Sequence, residues 1–161
     1  MSRPDREPAR ILIVRPSALG DVCRSVPVAA SLRRAFPDAR IAWLVQAGFE
    51  DAVRCHPAVD AVLPFARRAL SPLRSLGAIG RLWTFLRELR RHRFDLVVDA
   101  QGLARSGLIA LATGARRRVG PANAREGAWL AYTRRVPVPP GRHAVDAMLD
   151  LAEGAGAPRV E

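Results

Sequence analysis

The sequence predicts an α/β fold, a Rossmann-like parallel sheet with helices on both faces, and three observations carry that prediction. Short apolar, β-branched runs alternate with amphipathic stretches along the chain, and strand–helix–strand repetition builds a parallel sheet through right-handed crossovers. The first run, Ile11-Leu12-Ile13-Val14, is apolar at every position, as a strand covered on both faces must be. The length of 161 residues, 49% of them hydrophobic, suits one domain with its own core.

Residues 10–14 form the first strand. A helix over 21–36 follows, with Val28, Ala29, Leu32 and Phe36 on one face and Arg33 and Arg34 on another; Pro27 sits early in it and bends its first turns. Residues 40–45 read as the second strand, 49–55 as a short helix and 61–65 as the third strand, which Pro64 is expected to end because proline donates no ladder hydrogen bond. Residues 67–80, with Arg67, Arg68, Arg74, Pro72 and two glycines, read as a basic loop.

Residues 81–93 are amphipathic, with Leu82, Phe85, Leu86 and Leu89 on one stripe and Arg87, Arg90 and Arg91 opposite. That stripe reads as the core-facing side of a helix, with docking of Leu82, Trp83, Phe85, Leu86 and Leu89 on a membrane as the alternative. A strand over 94–100, a helix over 103–113, a short strand over 118–120, a short helix over 126–132 and a final helix over 143–153 complete the pattern. The domain thus spans 10–153 after a flexible 1–9, and the glycines and alanines from Gly154 onward read as the start of an interdomain linker over 154–161.

All 26 basic residues are arginines, and they give a net charge of +11. Such a surface attracts phosphates, anionic headgroups or nucleic acid. Two cysteines, Cys23 and Cys55, are too few for a disulfide framework, and the first residues lack the apolar core of a secretion signal. A cytoplasmic protein is expected. No apolar run reaches the roughly 20 residues that span a bilayer. Nucleic acid is not expected as a partner, because the arginines are dispersed and no recognition motif or interleaved aromatic pattern accompanies them.

In open α/β sheets the chemistry gathers outside the carboxyl ends of the strands, where strand order reverses. The loops after the first, third and fourth strands bring Ser17, Asp21, Arg67, Arg68, Asp99 and Gln101 to that edge. The loop after the first strand holds one glycine, Gly20, so it is neither a dinucleotide fingerprint nor a phosphate loop. It leaves Asp21 with two readings that are compatible. An aspartate at a helix start caps backbone amides, and an ionised carboxylate at a sheet edge accepts a proton from a substrate hydroxyl.

The stretch from Ile11 to Val22 with Val26-Pro27, then Asp38–Val45, the segment Phe94-Asp95-Leu96-Val97-Val98-Asp99-Ala100-Gln101-Gly102-Leu103, the triplet Ala124-Arg125-Glu126 and His143-Ala144-Val145-Asp146 resemble the heptosyltransferases of glycosyltransferase family 9. The resemblance implies a GT-B architecture, in which two Rossmann-like domains face a cleft and the N-terminal one receives the acceptor. It implies Asp21 as the base that deprotonates a Kdo hydroxyl of Kdo-lipid A for direct, inverting attack on ADP-heptose, with no metal and no cofactor. It also implies work at the inner face of the cytoplasmic membrane, as a peripheral protein, because lipid A is anchored there.

Other positions carry over from the resemblance one at a time. Arg15 holds anionic groups or is a charge at a strand end, and Ser17 is the one hydroxyl residue kept in a loop where the family often has two. Arg67 and Arg68 clamp acceptor carboxylate or phosphate, or belong to a solvated loop. Gln101 and Asp99 line the cleft edge or cap the next helix. Arg125 matches the family arginine or pairs with Glu126, and His143 matches the family histidine or is structural; Ala147 stands where a basic residue is usual. The donor-binding domain is expected to lie outside these 161 residues, so the chain alone is expected not to transfer sugar. A family 9 enzyme of other sugar specificity and a noncatalytic anion-binding module are the competing readings.

Overall fold

The computed structural model describes residues 7–66 and 76–159. Six parallel strands form one sheet: β1 (Arg10–Val14), β2 (Arg40–Gln46), β3 (Ala61–Phe65), β4 (Leu96–Asp99), β5 (Arg117–Pro121) and β6 (Arg134–Val136), in the order β3-β2-β1-β4-β5-β6. That order is the doubly wound one, and it reverses between β1 and β4. Their register pairs Val14 with Asp99, so the loops that leave these two strands emerge side by side.

The period of two in β1 divides the core. Ile11 and Ile13 join the layer of α1 (Leu19–Arg24), α2 (Val26–Ala35), α3 (Asp51–Arg54) and α6 (Ala144–Gly154), where Trp43, Leu32 and Leu151 are buried. Leu12 and Val14 face the other layer, formed by α4 (Leu76–Arg91) and α5 (Ala104–Ala112), where Leu89, Phe94 and Ile109 are buried. Burial on both faces is why these strands read as unbroken apolar runs.

Several boundaries differ from expectation. The helix expected over 21–36 is two helices broken at Ser25, with Pro27 in the first turn of α2; proline is welcome there because that amide has no partner within the helix. The third strand keeps its expected bounds, and Pro64 is accommodated inside it because β3 is an edge strand and one side of its ladder is unpaired. The basic loop expected to run to residue 80 gives way to α4 at Leu76. Sequence reading passed over β6, whose three residues include two exposed arginines. At the ends, Ala9 donates to the Asp95 carboxylate at 3.0 Å. Beyond Gly154, Ala155 and Ala157 are buried and Arg159 pairs with Asp150 at 2.7 Å, so the chain stays packed on the domain through the first part of the expected linker.

Candidate functional site

At the point where strand order reverses, the loop after β1 is tied to both neighbouring strands. Pro16 O accepts from Gln46 N at 2.8 Å on the β2 side, and Val14 O accepts from Ala100 N at 3.0 Å on the β4 side. The Gln101 side-chain oxygen accepts from Ser17 N at 3.4 Å. These bonds fix the backbone that leads into α1, the helix that carries Asp21.

Asp21 does not cap that helix. Ala18 is the N-cap, in extended conformation, and no side chain bonds the first amides. Asp21 lies two residues inside the helix, and its carboxylate turns to arginines instead: 3.1 Å from the Arg15 guanidinium and 3.4 Å from that of Arg24. The cap reading is therefore corrected to an ion pair. Its physical basis is that Arg15 leaves β1 directly beneath the first turn of α1. The Asp21 side chain keeps 38% of its accessible surface, so it is held yet reachable from solvent.

Arg15 is the opposite case, with a side chain only 13% exposed. Its guanidinium donates to Asp21 and to Ala100 O, and its Nε is buried without a partner. Burial lowers the pKa of Arg15, against the raising effect of the Asp21 charge and hydrogen bond. The side chain expected to hold anionic ligands is thus engaged by Asp21 and Ala100 O.

Beneath this pair lies an anchor of which sequence reading named Asp99 but not its partner Tyr132. Asp99 is fully buried. Its Oδ1 accepts from the amides of Gln101 at 2.9 Å and Gly102 at 3.2 Å, and its Oδ2 accepts from the Tyr132 hydroxyl at 2.6 Å. Burial pushes the Asp99 pKa up, and the hydrogen bonds, led by that of Tyr132, pull it back. Burial first and the adjacent Asp99 second push the Tyr132 hydroxyl far above the usual phenol range. Asp99 thereby caps the Gln101–Gly102 turn rather than α5, whose N-cap is Leu103.

Tyr132 fits only because position 120 is glycine: a Cβ there would lie 2.3 Å from Tyr132 Cε2 and Cζ. The one available signal was compositional, since Tyr132 is the single tyrosine of the chain.

The remaining expected residues are spread around this centre. Arg125 is exposed, and its amide donates to Gly102 O at 2.9 Å, which ties the Ala124-Arg125-Glu126 segment to the turn after β4. The expected Arg125–Glu126 pair is not formed; Glu126 accepts from the Ala104 amide at the start of α5 instead. His143 is the exposed N-cap of α6, without a side-chain cap bond. It stands at the carboxyl end of the sheet, because Met148, one turn into α6, meets the Ser25 hydroxyl between α1 and α2. Arg67 and Arg68 lie outside the described residues. No group of His, Cys, Asp and Glu among the described residues suits a metal ion.

The family model for glycosyltransferase family 9 (heptosyltransferase) matches residues 82–158. Lipopolysaccharide heptosyltransferase 1 of Pseudomonas aeruginosa is 37% identical over 88% of this chain and 41% of its own length, and that of Escherichia coli K12 is 33% identical over 88% and 46%. Among solved structures, E. coli heptosyltransferase WaaC with ADP-2-deoxy-2-fluoro heptose superposes with a TM-score of 0.83 at 30% identity, over 94% of this chain and 50% of that one. E. coli ADP-heptose lps heptosyltransferase II, at 22% identity and a TM-score of 0.71, shares the fold. The chain spans a little under half the length of the curated relatives it matches. Sheet order, motifs, family model and relatives agree, and over nearly its whole length the chain is similar to the heptosyltransferases of glycosyltransferase family 9.

Proposed function

We propose that these residues form the acceptor-binding, base-carrying half of an inverting heptosyltransferase that moves heptose from ADP-heptose to Kdo of Kdo-lipid A. The observation that carries the reading is the carboxylate of Asp21, partly exposed and held by Arg15 at the reversal of strand order. In the reaction the Asp21 carboxylate takes the proton of an acceptor hydroxyl as that oxygen bonds to the anomeric carbon and the bond to ADP breaks. An ion-paired aspartate is a weak base, so most of its effect comes from placement. Arg15 acts as a positioning residue, while the exposed Arg125 and His143, with Arg67 and Arg68, are the side chains assigned to the anionic acceptor. Ser17 and Gln101 shape the wall between them. ADP-heptose is held by a donor-binding half outside these 161 residues, and no metal takes part.

The acceptor is a membrane lipid, so the protein works peripherally at the cytoplasmic face of the inner membrane. No helix among the described residues is long and apolar enough to cross a membrane. The test is transfer from ADP-heptose to Kdo-lipid A by a chain joining residues 1–161 to the C-terminal half of E. coli WaaC. Asp21→Asn should lower the rate at least a hundredfold with acceptor binding retained; a rate within threefold of the parent rejects Asp21 as the base. The sequence similarity to a heptosyltransferase, rather than to an anion-binding module, favours the enzymatic reading.

A further inference from the structure

We propose that the outer side of the α4–α5 layer is a docking surface for an anionic lipid bilayer, which deepens the membrane reading above and rests on it. Seven large hydrophobic side chains are exposed among the described residues, and six of them lie here: Ile79 and Trp83 on α4, Leu108 and Leu111 on α5, and Trp129 and Leu130 on the 3-10 turn Ala128–Ala131. Trp83, Leu108 and Leu130 keep 63% or more of their surface. The three elements are neighbours. Gly107 of α5 packs on Ala128 of the turn, and Arg90 of α4 approaches Gly114 just past α5.

This is not the core-facing stripe of α4. Leu89 is buried, and Phe85 packs on Phe65 with ring centroids 5.4 Å apart. Trp83 is left pointing the other way.

Charge commits the surface to an anionic partner. Residues 76–136 hold twelve arginines, of which Arg117 bonds Ala155 O on the opposite layer and Arg125 belongs to the candidate site, and only four acidic residues. Of those four, Asp99 is buried, Asp95 bonds the amides of Ala9 and Arg10 at the amino end of β1, and Glu126 caps α5. Only one of the salt bridges among the described residues lies on this layer, Arg91 with Glu88 at 3.0 Å. On the opposite layer Arg33, Arg142 and Arg159 are paired with carboxylates. Arg135 sits 4.6 Å over the Trp129 ring, a combination of flat aromatic and guanidinium suited to a headgroup boundary. Asp21 lies on α1, in the layer on the opposite face of the sheet, so a domain docked by its α4–α5 side leaves it accessible.

The experiment floats the 161-residue chain with vesicles of phosphatidylcholine alone or with about a third phosphatidylglycerol, in low and high salt. Binding should require the anionic lipid and weaken with salt. The triple variant Trp83→Ser, Leu108→Ser, Leu111→Ser, checked for fold by circular dichroism, should bind at least tenfold more weakly, whereas Asp21→Asn should bind like the parent. Binding unchanged in the triple variant, or none by the parent chain at low salt, overturns the proposal. So does self-association that the triple variant abolishes, which would make a second copy the occupant. Transfer to a deacylated, water-soluble acceptor by the joined chain should survive the triple variant and fail with Asp21→Asn, so the docking and transferase readings fall separately.

Discussion

Replacing Tyr132 with phenylalanine removes one oxygen and little volume, and it tests the anchor beneath the site. The Tyr132 hydroxyl donates to Asp99 Oδ2 at 2.6 Å in a fully buried setting, and a hydrogen bond to a charged group contributes about 1.5–3 kcal/mol. With a urea slope near 2 kcal/mol per M for a domain of this size, the unfolding midpoint should fall by about 1 M at pH 7.

The pH dependence fixes the sign. Because the folded-state pKa of Asp99 is raised, the native state binds more protons than the unfolded chain, and this group's contribution to stability declines as pH climbs from the ordinary carboxylate range through the raised value. Tyr132→Phe raises that pKa further. The deficit of the variant should therefore be small near pH 4 and grow toward pH 7. Urea titrations followed by far-ultraviolet circular dichroism at both pH values measure it. Equal midpoints for parent and variant at pH 7, or a deficit larger at pH 4, would refute the assignment of an ionised Asp99 held by Tyr132.

Two further outcomes are expected. Gly120→Ala drives a methyl group into a ring that cannot retreat without breaking its bond to Asp99, so it should cost at least the 1–3 kcal/mol typical of overpacking, read as a lowered thermal midpoint. Arg15→Met keeps the apolar stem but releases Asp21; because Asp21 is partly solvated, stability should fall by only about 1 kcal/mol, while transfer by the joined chain should fall tenfold or more with acceptor KM little changed.

The strands and most helices were legible because their signals are local. A run such as Ile11–Val14 declares burial on both faces within a few residues, and the stripe from Leu82 to Leu89 declares a helix face. The consequence of a proline depends on place: at the start of α2 and on the edge strand β3 the missing amide costs nothing. Strand β6 escaped notice because only Val136 of its three residues is buried.

The sequence by itself determined the fold class, the family resemblance and Asp21 as the carboxylate at the reversal of strand order. Only the tertiary structure decided how that carboxylate is held. Its partner Arg15 sits on a different element, and the anchor Asp99 reaches Tyr132 across 33 residues of chain. Periodicity reports which side of an element is buried, but not which polar atoms meet there. Those meetings are set by the parallel pairing of β1 with β4 and β4 with β5, which brings residues distant in sequence to one edge of the sheet.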